Sequence, residues 1–225
     1  MPTLVVILLL SYLLGSIPSA LIVGRVRGVY LERHGSGNAG ATNALRVLGP
    51  TAGVFVLLAD MLKGLLAVAV ISRIRLGAGL PDWLGTEADA WVAVMAGMAA
   101  LLGHVYTIVG RYFYGRWRGG KGVATAGGML FGLVPLAAGV ALALFAGVVA
   151  LTRFVSLGSL AAAVAIPLTV LVERAAGLEV AHPVLLVTLV IPLIILYTHR
   201  ANVRRLLSGT ESRFGQRVRP SGEER

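Results

Sequence analysis

The sequence of 225 residues has no cysteine, which excludes disulfides and thiolate metal sites. Its 4 histidines are scattered without metal-ligand spacing, so no metal and no cofactor is expected. Charge is scarce: Asp, Glu, Lys and Arg make up 13% of the residues, about half the fraction in a soluble domain. With 57% hydrophobic residues and a mean hydropathy of +0.85, the chain reads as a polytopic membrane protein with little polar domain of its own. The net charge of +10 does not point to nucleic acid, because the basic residues flank apolar runs and form no continuous face. No Ser–His–Asp or Cys–His set can be assembled.

What is present is a succession of apolar runs long enough to cross a bilayer. The first, about Thr3 to Val23, reads as a span and not as a cleaved signal peptide, since no positive charge precedes it and no small-x-small site follows. Pro18 interrupts it, as a tolerated kink or as a cavity lining. The second span, about Thr51 to Ile71, carries Asp60 and Lys63 three residues apart on one helical face. Such charges must face protein or water, as a structural ion pair or beside a polar site. The third runs from about Ala90 to Val109 and is followed by an Arg- and aromatic-rich loop at Arg111–Arg118. Residues 123–152 are longer than the roughly twenty that one span needs, hold Gly132 and Pro135, and read as one tilted helix or two short ones. Two further spans, about Leu157–Val172 and Val184–Tyr197, follow a turn at Arg153–Ser159.

Charge decides how 123–152 is divided. A break near Gly132–Pro135 gives seven helical segments and places 16 of the 20 Lys and Arg on one side and 3 on the other, with Lys63 inside a span. The rich side is then cytoplasmic, with the N-terminus outside and the C-terminus cytoplasmic. The expected fold is an all-α membrane domain over 1–214 with seven transmembrane helices, and a basic, flexible cytoplasmic tail over 215–225.

On the basic side lies Gly35-Ser36-Gly37-Asn38-Ala39-Gly40-Ala41-Thr42-Asn43. Its glycines permit sharp turns that expose backbone N–H groups, and its hydroxyls and amides add donors, a combination suited to phosphate. A flexible linker is the plainer reading. The same side carries Gly119-Gly120-Lys121-Gly122, which has the logic of a P-loop without its spacing, and a helix end with His199, Asn202 and Arg205 at three-residue steps. Donors and cations dominate and acceptors are few, so the expected ligand is a phosphorylated anion, met by a lipid from the membrane. His104, with no acid four residues later, reads as packed rather than as a base, and His182 has no assigned role.

Read end to end, Gly15-Ser16-Ile17-Pro18, the Gly35–Asn43 loop with Arg46, Asp60-Met61-Leu62-Lys63-Gly64, Gly103-His104, Gly119–Thr125 and His199–Glu211 resemble the bacterial acyl-phosphate:glycerol-3-phosphate acyltransferase family (PlsY). The resemblance implies transfer of an acyl group from acyl phosphate to the sn-1 hydroxyl of glycerol-3-phosphate, giving lysophosphatidic acid and phosphate in phospholipid biosynthesis. It implies a multi-pass protein of the bacterial inner membrane with a cytoplasmic active site. Its partners would be those two substrates and membrane lipids, without nucleic acid. Carried onto this sequence, Ser36, Asn38, Lys121, His199 and Asn202 would be catalytic. Gly37, Thr42, Asn43, Arg46, Gly119, Gly120, Ser156 and Arg205 would bind substrate, and Asp60, Lys63, His104 and Glu211 would support them. A transporter or flippase of a phosphorylated lipid precursor is the competing expectation, suggested by the intramembrane Asp60–Lys63 pair.

Overall fold

A computed structural model describes residues 1–77 and 79–215. The expected tail over 215–225 lies, Gly215 apart, outside the described residues. Helix is the only regular structure that satisfies the backbone of a lipid-exposed chain without closing a barrel. The described residues accordingly fold into α1 (Pro2–Ser16), α2 (Ser19–Val26), α3 (Ala41–Leu48), α4 (Pro50–Ala69), α5 (Ala88–Val105), α6 (Ile108–Tyr114), α7 (Val123–Leu133), α8 (Pro135–Thr152), α9 (Val155–Ala175) and α10 (His182–Leu207).

Six segments are long and apolar enough to cross a membrane, the first being α1 and α2 taken together. The seventh apolar segment, α7, has 11 residues, about 16 Å of helix against a hydrocarbon core of about 30 Å. The seven expected spans are therefore six of spanning length and one short apolar helix. The break falls where expected, at Val134 (φ −141°, ψ 71°) before Pro135, because proline donates no N–H to the preceding turn. Other expectations need correction. The third span ends at Val105, and helix α6, started by Thr107, whose hydroxyl accepts the Gly110 N–H at 2.8 Å, occupies the first part of the expected Arg111–Arg118 loop. The turn after α8 is only Arg153–Phe154, so Ser156 and Ser159 stand in the first turns of α9. The last helix continues through Leu207, well past Tyr197, and carries His199, Asn202 and Arg205 on its extension. His182, given no role, pairs with Glu87, Nδ1 to Oε1 at 3.2 Å, at the start of α10.

Without a hydrophobic force between helices in lipid, close packing decides which helices meet. Where α4 crosses α7, Gly64 faces the Thr125 carbonyl oxygen and Gly128 the Met61 carbonyl oxygen, so closely that a Cβ would lie 2.0 Å and 1.8 Å from them. The α1–α5 contact is polar as well as tight: Ser16 Oγ donates to Gly103 O at 3.3 Å, Tyr12 Oη to Tyr106 O at 2.6 Å, and Thr107 Oγ1 to Ser16 O. An apolar core of Leu101, Met129, Leu130, Ile166, Val170, Ile191 and Ile195 joins α5, α7, α9 and α10. Exposed side chains such as Phe55, Leu58 and Leu62 on α4 and Leu189 and Leu193 on α10 give the outer surface its apolar character.

The break between α1 and α2 is used. Pro18 ends the first helix and releases the Ile17 carbonyl, which accepts Lys63 Nζ at 2.5 Å. Lys63 also bonds Asp60 Oδ1 at 2.6 Å, and both side chains are buried, at 5% and 3% exposure. A lone ammonium in this place would be prohibitively costly, and the pair with its carbonyl removes most of that cost. The expected outcome of Gly64→Val is severe: the new side chain collides with backbone, and the loss is about 1–3 kcal/mol or more. Thermal unfolding in detergent measures it, against Gly139→Val, whose Cβ meets nothing within 4 Å and which should leave the melting temperature unchanged.

Candidate active site

The Gly35–Asn43 loop is held by its own glycines and by Asn43. Gly35 sits at φ 61°, a conformation that favours glycine, and a Cβ there would lie 2.3 Å from Asn43 Oδ1. That oxygen accepts the Ser36 N–H at 2.9 Å, while Asn43 Nδ2 donates to Leu31 O and His34 O, each at 3.1 Å. Asn43, expected to bind substrate, thus also braces the loop with both ends of its amide. The loop then enters α3, which carries Arg46.

The second cluster is pinned to α10. The Lys121 carbonyl accepts Thr198 Oγ1 at 3.0 Å, and Lys121 Nζ donates to Asn202 Oδ1 at 2.5 Å. Asn202 Nδ2 donates in turn to Glu211 Oε1 at 2.5 Å. Glu211 also accepts Ser156 Oγ at 2.7 Å and Arg205 Nε at 2.6 Å. One carboxylate therefore joins α9, α10 and, through Asn202, the lysine loop. Burial opposes its ionisation, but hydrogen bonds from Asn202, Ser156 and Arg205 outweigh burial and hold its carboxyl below the usual range. Lys121 moves the other way: burial brings its ammonium down to about 8, with Glu211 opposing and Arg205 and Arg46 reinforcing the fall.

These clusters meet around a cavity of about 460 Å³. Of the residues expected from sequence, Ser36, Asn38, Thr42, Asn43, Arg46, Asp60, His104, Lys121, Ser156, His199, Asn202, Arg205 and Glu211 line it. Gly37, Gly119, Gly120 and Lys63 do not. Gly37 makes the turn at φ 65°, and Gly119 donates its N–H to Val105 O at 3.0 Å. Gly120 packs so closely on His104 that a Cβ would lie 2.1 Å from its Nε2, and Lys63 stands behind Asp60. His104 Nδ1 lies 3.7 Å from Asp60 Oδ1. His199 is buried, with Nδ1 2.9 Å from the Ile195 carbonyl. Only N–H can serve that contact, so a neutral His199 carries its proton on Nδ1 and keeps Nε2 as an acceptor.

Sequence reasoning missed the apolar part of the lining. Leu57, Val123, Ala124, Phe145 and Ser159 border this cavity and also a second, apolar one of about 130 Å³, which runs between α4, α7, α8, α9 and α10 past Met61, Gly127, Leu130, Ala141, Ala163 and Ile191. Helices apolar on every face offer no pattern that separates groove from lipid surface, so only packing reveals it. Leu57 and Leu142 are exposed, so the groove opens sideways. A pocket of donors and cations continuous with an apolar groove can seat the head and tail of an anionic amphiphile together.

A family model described as glycerol-3-phosphate acyltransferase matches residues 5–209. A glycerol-3-phosphate acyltransferase of Geobacter sulfurreducens is 49% identical over 206 residues, covering 91% of this chain and 94% of that protein. One from Halalkalibacterium halodurans is 44% identical over 210 residues, covering 92% and 93%. Among solved structures, the glycerol-3-phosphate form of PlsY, an integral membrane glycerol 3-phosphate acyltransferase, superposes with a TM-score of 0.78 at 36% identity, covering 94% of this chain and 96% of that one. Its lysophosphatidic acid form gives 0.76, also at 36% identity, covering 95% and 96%.

The lysine sets a pH dependence. Its charged form attracts an anion and its neutral form does not, so the lysine's contribution to affinity is full below about pH 8 and is lost as pH rises through that value. Inorganic phosphate, titrated by calorimetry, should bind more weakly above it, by at most about tenfold per pH unit, down to the level that Arg46 and Arg205 sustain. Lys121→Arg, which stays charged, should flatten the profile.

Proposed function

The chain belongs to the glycerol-3-phosphate acyltransferase family, and from that membership we propose that it transfers an acyl group from acyl phosphate to the sn-1 hydroxyl of glycerol-3-phosphate. Lysophosphatidic acid and inorganic phosphate are the products. The observation that carries this reading is the junction of the donor- and cation-lined cavity with the apolar groove. An acyl phosphate laid across the junction has its chain in the groove and its phosphate among the donors. Glycerol-3-phosphate fills the polar side, away from the groove.

The donor is a mixed anhydride, so its phosphate leaves readily and the protein need not generate a strong nucleophile. Its work is to hold two anions together against their repulsion and to stabilise the charge that develops on the carbonyl oxygen. Lys121, Arg46 and Arg205 supply positive charge, and Ser36, Asn38 and the backbone of the Gly35–Asn43 loop supply neutral donors. The glycerol hydroxyl oxygen attacks the acyl carbon, the carbon–oxygen bond to phosphate breaks, and the electron pair leaves with phosphate. The hydroxyl proton passes to His199 Nε2 through water or to the phosphate of glycerol-3-phosphate. The Nδ1 contact with Ile195 O supports the histidine route by leaving Nε2 able to accept. The bias of positive charge supports a cytoplasmic site, seven membrane segments with α7 crossing only in part, an N-terminus outside, and a place in the bacterial inner membrane.

Purified protein in detergent should form lysophosphatidic acid from labelled glycerol-3-phosphate with acyl phosphate and not with acyl-CoA. Absence of product with either donor would favour the transporter. Lys121→Ala should lower kcat at least about 10³-fold with normal membrane insertion. His199→Gln should cost about 10²-fold in kcat if the histidine takes the proton, and little if the substrate phosphate does. Gly127, whose Cβ would meet nothing within 4 Å, borders the groove. Gly127→Phe should therefore fold, lower kcat/KM about tenfold for long-chain donors, and spare short ones.

A further inference from the structure

The corner between α8 and α9 is made by two residues, Arg153 and Phe154. Arg153 has φ 63° and is the one non-glycine residue at positive φ among the described residues. Glycine would occupy that conformation without penalty, so an arginine there calls for a use of its side chain. The use is visible. Arg153 Nη2 donates to the Phe214 carbonyl at 3.0 Å, and the Phe214 N–H donates to the Arg153 carbonyl at 2.6 Å. Gly215 lies against the same guanidinium: a Cβ there would be 2.9 Å from Nη2. The Arg213 guanidinium stands over the Phe154 ring at 5.4 Å. Residues 213–215 and the α8–α9 corner thus hold one another although more than fifty positions separate them.

Between this contact and the end of α10 lies the segment that carries Glu211. Its near end is tied to α10, where the Thr210 and Glu211 N–H groups both reach Arg205 O, at 2.8 and 3.2 Å. Its far end is tied by Phe214 to Arg153. Glu211 is held between the two ties, and its carboxylate collects Ser156, Asn202 and Arg205. Arg153 itself does not line the cavity. We propose that Arg153 is a positioning residue: with Phe214 it forms a clasp that holds Glu211, and through it Arg205, Asn202 and Ser156, in the arrangement that binds glycerol-3-phosphate. The proposal rests on the reading that these three groups face that substrate.

Arg153→Gly separates the clasp from the corner. It keeps the backbone conformation and the Phe214 N–H contact, so a role confined to turning the chain would survive it. The clasp predicts instead a KM for glycerol-3-phosphate raised about tenfold, with kcat within about threefold of wild type. Arg153→Lys, which retains a donor, should recover most of the affinity. A chain ended after Ser212 should reproduce the Arg153→Gly defect, and one ended after Gly215 should not. A wild-type KM in Arg153→Gly, or in the chain ended after Ser212, overturns the clasp alone. If Arg153→Gly does not fold, the chain ended after Ser212 decides on the same readout, with Arg153 still in place. A wild-type protein that forms product without saturating in glycerol-3-phosphate overturns the substrate reading and the clasp together.

Discussion

The Glu211 carboxylate is the point on which the site depends. Lys121, Arg46 and Arg205 share one cavity and repel one another, so that Arg205 and Arg46 both help to lower the Lys121 ammonium. A single acceptor bonded to Arg205, Asn202 and Ser156 answers that repulsion in part, and Asn202 carries its influence on to Lys121. The site remains cationic after this compensation. The carboxylate also fixes direction. Asn202 offers its oxygen to Lys121 because its nitrogen is committed to Glu211, so the amide cannot turn without breaking two bonds.

The membrane sets the second constraint. Backbone groups in hydrocarbon need partners, so breaks in helices are tolerated only where something answers them. Each break here borders the site or supports it. Pro18 frees the Ile17 carbonyl for Lys63, whose pairing with Asp60 lets a carboxylate stand at the cavity wall beside His104. The interruption at Val134–Pro135 leaves α7 short. Its first turn still delivers Val123 and Ala124 to the junction of cavity and groove. Close crossing of α4 on α7 through Gly64 and Gly128 holds that helix in place.

Much of this was legible from residue types. Membrane character and helical class follow from hydropathy and span length, and the break before Pro135 from the distribution of positive charge. The polar loop, the glycine-rich lysine turn and the His199–Glu211 helix end announce themselves because polar clusters are conspicuous in an apolar chain. Other features were not legible. Asn43 looks like a ligand-binding amide, and its second task as a brace was not visible, since its partners, the Ser36 N–H and the Leu31 and His34 carbonyls, are brought near only by the folded loop. Arg153 looks like one more basic residue at a membrane boundary, and only its dihedral angle and Phe214 distinguish it.

The sequence by itself determined that this protein lives in a membrane, that it is helical, and that its polar chemistry gathers in a few short stretches, because burial of apolar surface and satisfaction of the backbone allow little else. The tertiary structure decided what those stretches do together. It joined Lys121 to Asn202 across 81 positions and Ser156 to Glu211 across 55. It also opened an apolar groove beside them. Contacts of that kind depend on how helices cross, and crossing is set by shape complementarity between faces that hydropathy alone cannot distinguish.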